Sequence, residues 1–169
     1  MKRALLFAAL FALAACGFRP VHGRMYQAEQ ETSLASVAVQ VDNTRLGQLL
    51  KAEIETGLNP DYERAEKLYT LSIALSESDV YLFVNPDGTA GRGDVVFNSS
   101  YQLVRNLDRK VLKTGLIKRV SSYNISESAD YATYVSEDDA RRRGVVELAQ
   151  AYKLRMSNLM QGLNPGGAQ

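Results

Sequence analysis

Residues 94–106, DVVFNSSYQLVRN, alternate between two sets of side chains. One set is Val95, Phe97, Ser99, Tyr101 and Leu103, and the other is Val96, Asn98, Ser100, Gln102 and Val104. A period of two is typical of a β-strand, and this strand is long enough to extend beyond a core. The triplet at 107–109 predicts a turn, and residues 110–123 alternate again. We therefore predict two long strands in succession.

Upstream of these strands, the sequence predicts a strand, a helix and a third long strand. Valines alternate in residues 36–42, which indicates a strand with one buried side. Asn43 is a suitable helix N-cap, and Gly57 with Pro60 stops the helix near Asn59. The apolar stripe of this helix is Leu46, Leu49, Leu50, Ile54 and Leu58. Residues 66–77 alternate, and the Asn-Pro-Asp-Gly run at 85–88 predicts a hairpin tip.

Downstream, the pattern changes from alternation to helical spacing. Residues 124–135 have no clean period and are interpreted as a loop, after which Ser136 is the expected N-cap of a helix ending near Met160. Its apolar stripe is Val145, Leu148, Ala149, Tyr152, Met156 and Leu159. The prediction is an α+β fold of order β-α-β-β-β-α, with a mainly antiparallel four-stranded sheet and two helices packed on one face.

A subset of these apolar positions is expected to form the core of a single domain over residues 35–162. The expected core residues are Val37, Val39, Leu50, Ile54, Leu71, Ile73, Leu148 and Tyr152. Residues 163–169 contain an Asn-Pro-Gly-Gly run and are expected to be a disordered tail.

The composition argues against several classes of function. The chain has 169 residues, of which 46% are hydrophobic and 23% charged, and its net charge is +1. That balance lacks the basic excess of a nucleic-acid binder. A lone cysteine cannot form an internal disulfide, and Cys16 with His22 cannot complete a four-ligand zinc site. We expect no metal and no cofactor, and we interpret His22 as a solvated linker residue.

The amino terminus carries a targeting signal. Lys2 and Arg3 precede an apolar run at 4–15, which is shorter than the roughly 20 residues that span a bilayer. Residues 1–15 are therefore predicted to be a signal peptide. The run Leu-Ala-Ala-Cys at 13–16 resembles the bacterial lipobox, which implies cleavage before Cys16 and lipidation of that residue. A plain signal peptide or a signal anchor are the alternatives.

Residues 16–34 are expected to be a lipidated cysteine followed by a flexible tether. Gly17 stands where the inner-membrane retention signal has aspartate, which favours the outer membrane, with the domain facing the periplasm.

No catalytic motif is present in the sequence. There is no Gly-x-Ser-x-Gly elbow, and Asp138 with Asp139 falls in a predicted first helical turn, where carboxylates have a structural role. The glycine-rich run 88–93 precedes a strand, whereas a phosphate-binding loop precedes a helix. We predict that the protein is not an enzyme.

Basic residues form the remaining candidate site. Arg92, Lys118 and Arg119 are the candidates for binding the phosphates of an anionic lipid, with Arg109 and Lys110 as weaker ones. A solvated surface is the default interpretation of each.

Three features together resemble one family of envelope proteins. They are the run Cys-Gly-Phe-Arg-Pro at 16–20, the strand and helix over Val37 to Leu58, and the long strand that begins just after Gly91-Arg92. With the element order, they resemble the LPS-assembly lipoprotein family LptE. The resemblance implies a lipoprotein that plugs the LptD barrel, assists barrel assembly and binds lipopolysaccharide. The resemblance also implies that basic residues in the loops at one end of the sheet contact lipopolysaccharide. Arg92 lies in such a loop, whereas the loop before the last helix has no basic residue until Arg141.

Two other functions stay open on the sequence alone. One is a lipid-anchored accessory subunit or chaperone of another envelope complex, such as an ABC-transporter auxiliary or a barrel-assembly accessory. The other is a small periplasmic hydrolase, which the missing catalytic motif disfavours.

Overall fold

The computed structural model describes residues 34–62, 64–81, 91–126 and 129–163. Its elements are β1 (Val37–Val41), α1 (Arg45–Leu58), β2 (Tyr69–Tyr81), β3 (Arg92–Arg105), β4 (Val111–Asn124) and α2 (Asp130–Leu163). This order confirms the predicted α+β fold. The predictions for the signal peptide, Cys16, His22, the hairpin tip at 85–88 and the tail beyond Leu163 lie outside the described residues.

The four strands form one sheet in the order β1-β2-β3-β4. β1 pairs with β2 in parallel, because α1 carries the chain back to the same end of the sheet before β2 begins. β2, β3 and β4 pair antiparallel, with Ile73 opposite Tyr101 and Tyr101 opposite Gly115. β2 runs to Tyr81, four residues beyond the predicted end, because β3 pairs with it along its exposed, polar part.

One face of the sheet carries the core, and both helices pack on it. All eight core residues predicted from the sequence are buried. β3 supplies alternate buried residues, namely Val95, Phe97, Ser99, Tyr101 and Leu103. The opposite face, which carries the even-numbered residues of β2 and β3, is called the open face below. It is rich in small polar side chains such as Ser72, Ser100 and Thr114, around a depression of about 560 Å³.

The amino end of α1 differs from the prediction by one residue. Thr44, rather than Asn43, is the N-cap, and its hydroxyl accepts a 3.0 Å hydrogen bond from the backbone N–H of Gly47. Gly47 has to be glycine here, because a Cβ at this position would overlap the carbonyl of Asp42. Leu50, Ile54 and Leu58 then face the core as expected.

The loop predicted over residues 124–135 is wrong in its second half. α2 begins at Asp130, so Ser136 lies inside the helix and is not its cap. The first turns carry the exposed side chains of Tyr131, Tyr134 and Val135. Because none of these residues is buried, they show no apolar period, and the first buried residue of the helix is Ala140.

Two tyrosines and a serine fix α2 on the sheet. The hydroxyls of Ser99 and Tyr152 lie 2.7 Å apart in the core, and burial raises the pKa of Tyr152 to about 12. The rings of Tyr101 and Tyr152 meet edge to face with centroids 5.6 Å apart. Tyr101 in turn lies over Gly115 of β4, where a Cβ would come within 2.8 Å of its ring. The hydroxyls of Ser99 and Tyr152 therefore satisfy each other in the core, and this contact favours the observed position of α2 on the sheet.

Candidate functional site

The three predicted lipid-binding residues lie on two faces of the sheet. Arg92 pairs with Asn124, and Lys118 pairs with Asn98, so both belong to the open face. Six residues of β4 separate these two positions, which is about 20 Å at roughly 3.3 Å per residue. Arg119 pairs with Phe97 and points to the helix side. The structure therefore does not bring the three cations together.

Arg92 already has partners within the chain. Its Nη2 donates a 2.8 Å hydrogen bond to the hydroxyl of Ser122, and its Nε lies 3.8 Å from a carboxylate oxygen of Asp94. About half of the side chain stays exposed. Arg109 and Lys110, the weaker candidates, lie in the β3–β4 turn at the opposite end of these strands.

Lys118 and Arg119 lie beside a groove between β4 and α2, called the β4 groove below. It has a volume of about 550 Å³ and is lined by Leu116, Ile117, Lys118, Arg119, Ala151, Leu154, Arg155 and Asn158. Leu116 is 61% exposed and Leu154 is 65% exposed, so the groove presents apolar and cationic side chains together. None of the ion pairs within the described residues involves Lys118, Arg119 or Arg155.

The sequence reasoning overlooked Arg155. Arg155 follows Leu154 directly and Ala151 by four residues, which places it on the same side of α2 as these two groove residues. This spacing could have identified Arg155 from the sequence. The Nη1 of Arg155 lies 3.5 Å from the hydroxyl of Tyr101, at the margin of the groove.

The arginine triplet at 141–143 is neutralised rather than free. Arg141 binds three carboxylates: it donates to Asp79 at 2.9 Å, to Glu77 at 3.2 Å and to Glu137. Arg142 pairs with Asp138 at 2.9 Å, and Arg143 pairs with Asp139. We call Arg141 with its three carboxylates the Arg141 cluster.

The Arg141 cluster holds the far end of β2 against α2. Desolvation by burial, and then the neighbouring charge of Glu137, raise the pKa of the adjacent Tyr123 to about 12. The Arg142 and Arg45 guanidiniums bind Asp138, and the hydrogen bond from Arg142 is the main cause of its lowered pKa. These charges have structural partners, so they are poor candidates for an external anion.

Among the described residues, no helix is both long and apolar enough to cross a membrane. Within the same residues, no cluster of three or more histidine, cysteine, aspartate or glutamate side chains could hold a metal ion.

Comparison with known proteins gives a structural likeness only. No family model matches the chain, and no curated protein matches it in sequence. A Caulobacter crescentus protein assigned as a lipoprotein superposes with a TM-score of 0.66 at 20% identity, over 82% of this chain and 99% of its own. Rare lipoprotein B from Shewanella oneidensis superposes with a TM-score of 0.60 at 10% identity, over 76% and 98% of the two chains. The chain has the fold of these lipoproteins.

A third structure extends the same likeness. The minor lipoprotein from Acinetobacter baumannii superposes with a TM-score of 0.55 at 12% identity, covering 72% of this chain and 90% of its own. Between 90% and 99% of each of the three proteins is matched, so the likeness extends over nearly the whole of their folds. At these identities the comparison establishes the architecture and leaves the function to be argued from the residues.

Proposed function

We propose that the protein is an outer-membrane lipoprotein of the LptE type, which plugs and helps assemble an LptD-type barrel and takes part in inserting lipopolysaccharide. The observation that carries the proposal is a coincidence of two independent features. The lipobox-like Leu-Ala-Ala-Cys at 13–16 precedes a domain with the fold of rare lipoprotein B, which is LptE. The proposal assigns no catalytic activity to the chain.

Anchoring in this proposal depends on lipid rather than on charge. Cleavage before Cys16 removes Lys2 and Arg3, which leaves no basic excess to hold the protein on an anionic surface. Each buried methylene of an acyl chain contributes about 0.8 kcal/mol, so the three chains of a bacterial lipoprotein give a permanent anchor. Residues 17–33 would then separate the membrane from Leu34, the first described residue, which is buried in the domain.

The anchor can be tested directly at Cys16. We expect the purified protein to have lost residues 1–15 and to carry fatty acyl mass, as measured by intact mass spectrometry. A Cys16→Ala variant should no longer float with outer membranes when its barrel partner is absent. The partner must be absent in this experiment, because a tight complex would retain an unlipidated chain. A mature chain that begins elsewhere would contradict the assignment.

Lipopolysaccharide binding is proposed at Arg92, Lys118 and Arg119. Because about 20 Å separates Arg92 from Lys118, one phosphate cannot contact both, and the proposed ligand is a polyanion that contacts the protein at several points. Each exposed cation contributes about 1 kcal/mol or less after screening. Affinity must therefore come from several contacts, and it should fall as salt rises.

We expect Arg92→Glu combined with Lys118→Glu to weaken lipopolysaccharide binding several-fold at low salt and less at high salt. Both side chains are exposed, so the thermal midpoint should change little. Arg64→Glu with Lys153→Glu is the matched control, since it makes the same charge change at two exposed cations elsewhere. Titration of both variants at two salt concentrations measures the effect. Equal affinities would remove these residues from the proposed site and leave the plug role standing.

The partner decides between the proposed function and its alternative. Affinity purification of the full lipoprotein from outer membranes should recover a large β-barrel protein of the LptD type. Recovery of ABC-transporter subunits, or of a barrel-assembly machine without such a barrel, would instead identify an accessory subunit of another envelope complex. Abundance of the barrel after depletion of the lipoprotein gives an independent measurement, because a plug that assists assembly should lower it.

A further inference from the structure

β4 is the last strand of the sheet, and half of its backbone groups point away from β3. The N–H of Ile125 donates a hydrogen bond to the carbonyl of Gly91 across the β3–β4 pair. The odd-numbered residues of β4 are therefore the ones whose backbone groups bond to β3. The carbonyls of Lys118 and Ser122 accept hydrogen bonds from the Arg119 and Arg143 side chains instead. Backbone groups alternate in direction along an antiparallel strand. The even-numbered residues therefore form an outward-facing edge.

The middle of this edge is accessible to another strand. No other strand of the described chain pairs with it. The side chain of Arg143 covers the carbonyl of Ser122 near the carboxyl end, and a register shift beside Leu103 disturbs the amino end. Between these limits, the even-numbered residues of 114–120 present their N–H groups outward, and all of them except Lys118, whose carbonyl the Arg119 side chain covers, also present a free C=O group. An unpaired edge of this length is a template for strand pairing unless something opposes it.

The side chains beside the edge are basic, so they favour an acidic partner. β4 contains Lys113, Lys118 and Arg119 and has no acidic residue, and Arg155 lies across the groove from them. Pairing between two copies of β4 would bring these cations together, which opposes self-association. An acidic strand would meet them favourably, while Leu116 and Leu154 would contact its apolar side chains.

We propose that the β4 edge binds an acidic, extended segment of a partner polypeptide by β-strand addition. The segment becomes a fifth strand, and its backbone bonds to the outward groups of residues 114–120. Carboxylates on one face of the segment contact Lys118 on the open face, and carboxylates on its other face contact Arg119 and Arg155 on the helix side. In strand addition, main-chain bonds supply affinity and the flanking side chains supply specificity. The site concerns contact with a protein; it shares Lys118 and Arg119 with the proposed lipopolysaccharide site and differs from it in using the backbone of β4.

The test uses three nine-residue peptides and the full lipoprotein in detergent micelles. One peptide repeats Val-Val-Glu-Glu, so that both of its faces carry glutamate and valine. The second replaces every glutamate by lysine, and the third is the acidic peptide with every backbone nitrogen methylated, so that neither of its edges can donate to β4. We expect the acidic peptide to bind at least tenfold more tightly than either of the others, as measured by fluorescence anisotropy. Hydrogen exchange should slow at the amides of Leu116, Lys118 and Val120 when the acidic peptide is bound.

Two variants separate the contributions of charge and backbone. Lys118→Glu with Arg155→Glu should reverse the preference, so that the lysine peptide binds better, whereas Arg64→Glu with Lys153→Glu should leave it unchanged. Leu116→Pro removes one outward N–H and no bond to β3, so it should abolish binding while the thermal midpoint stays close to that of the parent.

Several results would overturn the proposal. Equal binding of the methylated peptide would show attraction by charge without strand pairing. Slow exchange at the three amides without any peptide would show that the edge is already covered by the chain itself. A third contrary result has two parts: lipopolysaccharide displaces the acidic peptide, and the peptide slows exchange at none of the three amides. The groove would then bind a phosphorylated amphiphile instead of a strand.

Discussion

Replacing Leu148 by alanine should lower the free energy of unfolding by about 2–5 kcal/mol, because it removes a buried side chain and leaves a cavity. Leu148 is fully buried in α2, one turn from Gly144 and one turn from Tyr152, on the side that faces the sheet. A loss of this size is a large part of the total stability of a small domain. Chemical denaturation of the parent and the variant measures it.

Leu154→Ala is the control for this change. Leu154 is the same residue type on the same helix, but it is 65% exposed, so its replacement should change the free energy of unfolding by about 0.5 kcal/mol or less. If both variants unfold at the midpoint of the parent, the assignment of the buried helix face is wrong. In cells, we expect the Leu148→Ala chain to be depleted, and the proposed function further predicts that an LptD-type barrel is then poorly assembled.

Gly144→Val should destabilise the domain by about 3 kcal/mol, the upper part of the usual range for overpacking a core. A Cβ at Gly144 would overlap the ring of Phe97, and both residues are fully buried or nearly so. Neither partner can move freely, because Phe97 belongs to β3 and Gly144 to the rigid middle of α2. The cost of the clash exceeds the few tenths of a kcal/mol that valine gains over glycine in helix propensity.

Gly162→Val makes the same substitution where the chain has room. A Cβ at Gly162 has no heavy atom within 4 Å, so only the small propensity gain is expected. The difference between the two glycine variants in thermal or chemical unfolding therefore isolates the contact between α2 and Phe97. Equal stability of the two variants would mean that α2 does not approach β3 at this point.

Alternation and helical spacing were sufficient to predict the fold, because burial on one face produces both signals. The eight predicted core residues are buried for this reason. The start of α2 was missed because its first turns are exposed and so have no apolar period. The added length of β2, residues 78–81, was missed for a related reason, since these residues are held by pairing with β3 rather than by burial.

The candidate site was less predictable, because it depends on contacts between residues far apart in the chain. Arg141 is more than 60 residues from Glu77 and Asp79, and no local pattern reveals that they neutralise it. The opposite orientation of Lys118 and Arg119 was predictable, because adjacent residues in a strand point to opposite faces of the sheet.

The packing of α2 also has a consequence for biosynthesis. α2 is the last element of the described residues, and it covers the apolar side of β3 and β4. Because a polypeptide is made from its amino end, the whole sheet can be complete while this side is still bare. A nascent chain that stops before Ala140 lacks the entire buried stripe of α2. Such a chain exposes apolar surface that favours aggregation, so the domain can close only after α2 has been made and has reached the sheet.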